Sequence, residues 1–190
     1  MRSDADWHGE VGGTLEDMPT LVRDPQPAEF EALLERRRRL GQDLFDEVWD
    51  GVLHMNPAPA GRHGQLESQL TVVILPLAKA AGLVMTGQFN LGESERDYRV
   101  PDGGVHRNWS DRVWYPTTAL VLEIVSPNDE TWNKLEFYAA HGVEELVIVD
   151  PAERTVSWMG LEQGEYKHLK RSRLIDLGAA ELAEQIDWPG

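Results

Sequence analysis

The chain has 190 residues, of which 41% are hydrophobic and 27% are charged, and this is enough for one domain with a buried core. It contains no cysteine, which excludes a disulfide framework, a thiolate metal site and a cysteine nucleophile. With 18 basic against 33 acidic residues the formal net charge is −15, so a nucleic-acid partner has to be held by local basic patches against an overall repulsive field.

The amino-terminal part of the sequence has a different character from the rest. Residues 1–25 mix glycine, aspartate, proline and isolated hydrophobic residues without a period, so we expect a flexible or loosely docked arm there. Residues 26–190 are expected to form a single domain. Its first element is a helix in "PAEFEALLERRRRLG", which begins after Pro27 and ends at Gly41.

No targeting or membrane signal is visible. The chain does not open with a basic segment followed by an apolar one, and its apolar runs, such as "LTVVILPLA", are far too short to span a membrane. We therefore expect a soluble, cytoplasmic protein with no membrane partner.

A hairpin and a long helix follow. Asp50-Gly51 is a strong two-residue turn signal and predicts that strands at 45–49 and 52–55 pair antiparallel. The next segment, "RHGQLESQLTVVILPLAKAAG", has one apolar helical stripe, in which Pro76 should bend or interrupt the last turn. The stripe consists of Leu66, Leu70, Val73 and Leu77.

The remaining elements alternate between strands and helices. We expect strands in "LVMTGQFNLG", "YRVPDGGVHR", "TALVLEIVS", "EELVIVDP", "RTVSWMG" and "EYKHLKR", the second of them short and broken. We expect helices in "NDETWNKLEFYAAHG", capped by Asn128 or Asp129 and ending at Gly142, and in "AAELAEQI". This order predicts an α/β (α+β) fold with a mixed β-sheet flanked by helices.

Two acids are candidate ligands of one cation. Glu123 lies near the carboxyl end of the apolar strand "ALVLEIVS", where a desolvated carboxylate needs a cation or a metal as partner. Asp102 follows Val100-Pro101 in another short strand, 21 positions earlier. Carboxylates on adjacent strands can bind Mg²⁺ together with waters and substrate phosphate oxygens.

Lys134 is the candidate ammonium beside these acids. The chain has only four lysines against fourteen arginines, so a lysine here suggests a need for a compact, tunable cation. Glu130, Lys134 and Tyr138 are spaced four residues apart and share one helical face. The same spacing also fits an exposed Glu130–Lys134 pair worth about a few tenths of a kcal/mol, and spacing alone leaves both interpretations open.

The ordered motifs carry a family resemblance. "FDEVWDGVLHMNPAPAGRH", "VPDGGV", "LVLEIVSP", the lysine and tyrosine of the next helix and "GVEELVIVDP" follow one another over roughly residues 44–160. In this order they resemble the Uma-two family of putative restriction endonucleases, a branch of the PD-(D/E)xK nuclease superfamily. The resemblance implies a restriction-endonuclease-like core and metal-dependent hydrolysis of phosphodiester bonds in DNA.

The resemblance also implies roles for the candidate residues. Asp102 and Glu123 would bind Mg²⁺, with Mn²⁺ as an alternative. Val125 stands where such nucleases usually have their lysine, two residues after the second acid, and Lys134 matches the relocated lysine of the family. Lys134 would then orient or deprotonate the attacking water, or stabilise the charged transition state.

Four further residues are expected to support the site. Glu47 and His63 match family positions that line the same pocket. Glu67 lies four residues after His63 on one face of the same helix. Tyr138 would support Lys134 from the next helical turn.

Two other functions stay open from the sequence. One is a catalytically silent, oligomeric binding or regulatory protein of the same fold, because a fold can persist after its chemistry is lost. The other is a metal-dependent phosphoesterase that acts on a small substrate. By analogy with nucleases that pair to cut both DNA strands, we also expect a homodimer.

Overall fold

The computed structural model describes residues 20–22, 28–127 and 130–189, and within these ranges two six-stranded sheets are flanked by four α-helices. The strands are β1 Thr20–Val22, β2 Glu47–Trp49, β3 Val52–Met55, β4 Val84–Thr86, β5 Asn90–Ser94, β6 Asp97–Arg99, β7 Gly103–His106, β8 Trp114–Tyr115, β9 Leu120–Ile124, β10 Glu145–Asp150, β11 Thr155–Glu162 and β12 Glu165–His168. The helices are α1 Ala28–Leu40, α2 Gly61–Ala80, α3 Leu135–Ala140 and α4 Ala179–Gln185. A 3-10 turn, Thr131–Lys134, leads directly into α3.

Both sheets are mixed. The first sheet has the order β1-β3-β2-β6-β5-β8, in which β5 and β8 run parallel. The second sheet has the order β12-β11-β10-β9-β7-β4, in which β9 and β10 run parallel. The expected fold class, α/β (α+β) with a mixed β-sheet flanked by helices, is confirmed, with the strands divided between two mixed sheets instead of one.

Several predicted elements agree closely with the structure. The first predicted helix is α1, and the predicted hairpin is β2–β3. Asp50 and Gly51 at its turn have φ angles of 48° and 81°, the left-handed geometry that a tight two-residue turn requires. Helix α2 continues through Pro76 to Ala80, so Pro76 does not interrupt the last turn as the sequence allowed.

Other predictions need correction. "LVMTGQFNLG" is not one strand, because β4 belongs to the second sheet and β5 to the first. The single helix predicted over 128–142 begins as a 3-10 turn, and its predicted caps, Asn128 and Asp129, lie outside the described residues. Strands β1 and β8 have three and two residues, too few for a period in the sequence to indicate them.

The predicted arm is described only in part. Thr20–Val22 pairs antiparallel with β3, and residues 1–19 and 23–25 lie outside the described part of the chain. The division into an arm and a single domain stays a prediction.

Helix α2 covers one face of the second sheet. Its buried residues His63, Leu66, Leu70, Ile74 and Ala78 form a stripe, whereas the predicted Val73 and Leu77 are only partly buried beside it. The four apolar residues of this stripe pack with apolar residues of β7, β9 and β10 and with Leu182 of α4. Among the residues that the structure describes, no helix is both long and apolar enough to cross a lipid bilayer.

The alternation of side chains along β9 decides where Glu123 points. Leu120, Leu122 and Ile124 belong to the core under α2, whereas Val121 belongs to a second core with Tyr138 of α3. Because successive residues of a strand face opposite sides, Glu123 shares the side of Val121. The acid therefore faces α3, the helix that follows Lys134.

The two glycines after Asp102 have a packing reason. A Cβ added to Gly104 would collide with the ring of Phe89, and one added to Gly103 would lie 3.1 Å from Leu122 Cδ1. Close backbone packing therefore explains why glycine occupies both positions.

A buried carboxylate fastens the segment before α4. Glu145 is 2% exposed and accepts hydrogen bonds from Trp158 Nε1 at 2.8 Å, Ser172 Oγ at 2.6 Å and Arg173 N at 2.7 Å. Because Glu145→Ala leaves these donors without their acceptor, we expect it to lower the free energy of unfolding by about 3 kcal/mol, measured by urea denaturation. Glu144→Ala removes an exposed carboxylate paired with Arg107 and should cost less than about 1 kcal/mol. Equal losses in the two variants would contradict this account.

Buried His106 predicts a pH dependence of stability. Burial lowers its pKa to about 4, from an ordinary value near 6.5. Thr118 Oγ1 donates to the carbonyl of Val105 and so accepts from His106 Nδ1 at 3.0 Å, while Thr86 Oγ1 lies 2.9 Å from Nε2. The neutral ring is therefore satisfied where it lies.

The sign of the effect follows from the lowered pKa. Below about pH 6.5 the unfolded chain binds a proton at this histidine and the folded chain does not, so stability is lost as the pH falls towards 4. Between about pH 7 and pH 5 the loss from this residue should be about 2 kcal/mol. His106→Gln should remove that part of the pH dependence of unfolding, and His168→Gln, at an exposed position, should not. An unchanged pH profile in His106→Gln would refute the assignment.

Candidate active site

A cleft of about 650 Å³ opens at one edge of the second sheet and is also lined by residues of the first sheet. The carboxyl ends of β9 and β10 meet at this edge because the two strands are parallel, and β7 starts there because it is antiparallel to β9. Glu123 in β9 and Asp102 before β7 are thereby brought to the same place. The charged and histidine residues that line the cleft are Glu47, Arg62, His63, Asp102, Glu123, Glu130, Lys134, Asp150 and Arg154.

Lys134 is enclosed between two acids. Its Nζ lies 2.9 Å from Glu47 Oε1 and 3.2 Å from Glu123 Oε1, and its side chain is only 12% exposed. Burial by itself lowers the pKa of Lys134, but the charges of Glu123 and Glu47 outweigh burial and raise it above its usual value. The ammonium is therefore held in its charged form. The alternative of an exposed Glu130–Lys134 pair is wrong, because Glu130 instead contacts His54 Nδ1 at 3.0 Å.

Glu123 is a buried acid held by two donors. Tyr138 donates its hydroxyl hydrogen to Glu123 Oε1, the oxygen that also meets Lys134. Burial raises the pKa of Glu123, with Lys134 opposing this shift and Asp102 and Glu47 adding to it. Burial and the charge of Glu123 raise the pKa of Tyr138, so the phenol remains a hydrogen-bond donor.

Asp102 is oriented by two groups. Its Oδ2 accepts the backbone N–H of Ile124 at 2.7 Å, and its Oδ1 lies 2.9 Å from His63 Nε2. The other ring nitrogen of His63 lies 3.3 Å from Ser126 Oγ. Burial lowers the pKa of His63, but the hydrogen bond and charge of Asp102 outweigh burial and raise it overall. The imidazole thus acts as a partner of the Asp102 carboxylate.

Glu47 connects the first sheet to Lys134. It is 1% exposed, and its oxygens accept hydrogen bonds from Val100 N at 2.8 Å and from Trp49 Nε1 at 2.7 Å. The Trp49 ring is covered by His54, whose centroid is 4.2 Å away, and by the guanidinium of Arg99 at 4.4 Å. Trp49 is thus a packed wall of the site, and its ring is not free to stack on a nucleobase.

Most of the residues predicted for the site come together. Glu47, His63, Asp102, Glu123 and Lys134 all line the cleft. Tyr138 lies beneath it, fully buried, and contacts Glu123 where the sequence suggested Lys134.

Glu67 lies one turn beyond His63 on α2 and does not line the cleft. Burial raises the pKa of Glu67, with the charge of Asp102 adding to the shift and His63 opposing it. This carboxylate acts on the site through its charge and not by contact.

The donors at this edge fit a hard cation. Within the described ranges, no three histidine, aspartate or glutamate side chains form a ready-made metal cage. Mg²⁺ does not need one, because it is commonly held by one or two carboxylates, waters and substrate phosphates. Asp102 and Glu123 both border the cleft, and no described residue donates a hydrogen bond to Glu123 Oε2. The carboxylate set therefore matches the oxygen ligands that Mg²⁺ and Mn²⁺ take.

Sequence reasoning missed three features of the cleft. The His54–Glu130 contact joins β3 to the residue before the 3-10 turn, and a separation of 76 residues leaves no local signal for it. Arg62 and Arg154 also line the cleft, although nothing in their sequence surroundings distinguishes them from other arginines.

Comparison with known proteins identifies one family. Residues 27–183 match the family described as Uma2, putative restriction endonuclease. Among solved structures, the crystal structure of a putative nuclease belonging to DUF820 from Anabaena variabilis matches with a TM-score of 0.59 and 18% identity, covering 74% of this chain and 90% of that one. At this identity the likeness shows a shared fold.

A second structure is more distant. The cryoEM structure of the DrdV–DNA complex matches with a TM-score of 0.34 and 14% identity, covering 65% of this chain and 12% of that one. We draw no conclusion from an overlap this weak. No curated protein matches the chain.

Proposed function

Because the chain belongs to the Uma2 family of putative restriction endonucleases, we propose that it is a Mg²⁺-dependent nuclease that hydrolyses phosphodiester bonds of DNA. One observation carries the proposal. Asp102, Glu123 and Lys134 are separated in sequence yet line one cleft, with Lys134 Nζ 3.2 Å from Glu123 Oε1. Two acids that can hold a cation, with an ammonium beside one of them, suit a reaction in which negative charge accumulates on a phosphate.

In this proposal the two acids hold the cation, and each acid is oriented by its own neighbours. Asp102 and Glu123 hold Mg²⁺, or Mn²⁺ in its place, and the bound cation supplies charge neutralisation at the phosphate and lowers the pKa of water. His63 and the Ile124 N–H orient Asp102, so its carboxylate is fixed before any ligand arrives. Tyr138 fixes Glu123 in the same way from the α3 side. Such preorganisation avoids the cost of ordering the acids during the reaction.

Lys134 acts as a cation and not as a base in this proposal. Its pKa lies above the usual value, because Glu123 and Glu47 outweigh burial, so it carries its proton at neutral pH. A protonated lysine cannot accept a proton from water, but it can donate a hydrogen bond to the attacking water or to the phosphate. Glu47 holds the ammonium in place at 2.9 Å. Of the roles that the family resemblance leaves open for Lys134, we therefore propose orientation of the water and charge stabilisation, and not deprotonation of the water.

A substrate panel tests the proposed function. Purified protein is incubated with supercoiled plasmid, single-stranded DNA and the small diester bis(4-nitrophenyl) phosphate, each with Mg²⁺, with Mn²⁺ or with EDTA. We expect cleavage of DNA with either metal ion and none with EDTA. No cleavage of any DNA with either ion would refute the proposal, and turnover of the small diester alone would select the phosphoesterase.

One observation favours a catalytically silent binding protein as the second candidate. Glu123 Oε1 is already engaged by Lys134 and Tyr138, and Asp102 already uses both of its oxygens. If these contacts replace a metal ion, Mn²⁺ should not bind. Calorimetric titration with Mn²⁺ separates the candidates: one bound ion per chain supports the nuclease, and no binding heat supports the silent protein.

The expected homodimer stays a prediction. Sedimentation equilibrium distinguishes one chain of 21.4 kDa from a pair, and we expect the mass of a pair at micromolar concentration. A single-chain mass that persists after DNA is added would contradict the dimer.

A further inference from the structure

Two exposed arginines at the rim of the cleft have no partner among the residues that the structure describes. Arg62 and Arg154 both line the cleft, and neither side chain makes a hydrogen bond or ion pair with any residue in the ranges that the structure describes. Among the described residues, Arg37, Arg99, Arg107, Arg171 and Arg173 are paired with carboxylates. Of the described arginines without such a pair, only Arg62 and Arg154 line the cleft.

Each rim arginine also occupies a position that disfavours arginine locally. Arg62 is the second residue of α2 and lies at the positive end of the helix dipole, in a first turn that contains no acid. Arg154 has a φ of 52°, a backbone conformation in which glycine, asparagine and aspartate are the usual residues. Departures from local preference are expected where a residue serves function instead of folding.

The two arginines reach the cleft from different elements. Arg154 follows β10, Glu123 lies in the neighbouring β9, and Asp102 precedes β7, the next strand in the sheet. Arg62 lies at the start of α2, next to His63, whose ring contacts Asp102 at 2.9 Å. Both acids and both arginines therefore line one cleft.

We propose that Arg62 and Arg154 bind other backbone phosphates of the polynucleotide strand whose reacting phosphate lies over Asp102 and Glu123. The place of the reacting phosphate rests on the proposed function, whereas phosphate binding by the two arginines does not. The ligand is thus a chain with several phosphodiesters, whether deoxyribose or ribose, and not a single small ester. Local cations of this kind are what a protein with a net charge of −15 needs to hold a polyanion.

Binding in EDTA tests this inference without cleavage. Fluorescence anisotropy measures the affinity of wild type, Arg62→Ala and Arg154→Asn for labelled single-stranded DNA, single-stranded RNA and duplex DNA across a range of salt concentrations. We expect each variant to bind about tenfold more weakly and the salt slope to fall by about 0.7 for single strands or about 0.9 for duplex. Similar losses on DNA and RNA indicate recognition of the shared phosphate backbone, and a loss on one alone identifies the substrate.

Two controls keep misfolding and general charge effects separate. Asparagine suits the positive φ at position 154, so Arg154→Asn should unfold at the same or a higher temperature than wild type. Arg112→Ala removes an exposed arginine that does not line the cleft and should leave affinity and salt slope unchanged. Wild-type affinity in both rim variants, or an equal loss in Arg112→Ala, would overturn the inference.

The inference and the proposed function fail differently. Arginine-dependent binding without metal-dependent cleavage would overturn the proposed function and leave the two arginines as a phosphate site. Metal-dependent cleavage of DNA with affinity independent of both arginines would overturn the inference and leave the proposed function intact.

Discussion

Asp102→Asn and Glu123→Gln are each expected to lower Mg²⁺-dependent cleavage of DNA by about a thousandfold. Each change keeps the shape of the side chain but removes a negative charge that the proposed cation needs. The amide introduced by Asp102→Asn would still lie beside His63 and the Ile124 N–H, so the local backbone should stay in place. The rate of plasmid nicking under excess enzyme measures the effect.

The matched control is another acid of the same cleft. Glu130→Gln removes a carboxylate that lines the cleft but contacts His54, away from Lys134. We expect it to retain activity within about threefold of wild type, because it leaves both proposed ligands charged. Wild-type rates in Asp102→Asn and Glu123→Gln, or an equal loss in Glu130→Gln, would show that the two acids are not the site of the chemistry.

Lys134→Met is expected to affect activity and stability together. Activity should fall by about a hundredfold or more, because the variant lacks the ammonium that is proposed to face the phosphate. The free energy of unfolding should fall by about 3 kcal/mol, because Glu47 and Glu123 are then buried without their shared cation. Chemical denaturation and DNA cleavage, measured on the same preparation, report the two effects.

A double variant separates the two effects of Lys134. Lys134→Met/Glu123→Gln removes one of the two acids that meet the ammonium, so we expect it to recover much of the lost stability and none of the activity. Lys79→Met, at an exposed position of α2, controls for the loss of a lysine and should change neither quantity. Recovery of activity in the double variant, or no loss of stability in Lys134→Met, would contradict the account of this cluster.

The fold was predictable wherever local pattern and tertiary packing agree. The turn at Asp50-Gly51, the apolar stripe of α2 and the continuous apolar strand β9 each carry a local signal that the structure obeys. The division of 83–92 between two sheets carries no such signal, since the choice of sheet depends on partners far away in sequence. The shortest strands, β1 and β8, exist through their pairing and were invisible for the same reason.

The residues of the candidate site could be predicted from the sequence, but the contacts between them could not. A charged residue in a buried strand pointed to Glu123, a second acid on another short strand pointed to Asp102, and the scarcity of lysine pointed to Lys134. Family resemblance supplied Glu47 and His63. Which groups meet is a tertiary property. Helical spacing alone allowed a pair between Lys134 and Glu130. The ammonium of Lys134 instead contacts Glu47 and Glu123, because both of these acids are buried at the same edge of the cleft. The rim arginines were not indicated by the sequence, and their place in the cleft and their backbone positions distinguish them.

The central claim is that Asp102 and Glu123 together hold one divalent cation beside Lys134. Crystals soaked in Mn²⁺ and measured for anomalous scattering test it most directly, because the ion itself is located. The account predicts one strong peak in the cleft at about 2.2 Å from a carboxylate oxygen of each acid, and no peak at this position in Asp102→Asn. A wild-type cleft without a peak, or a peak bound by neither acid, would contradict it.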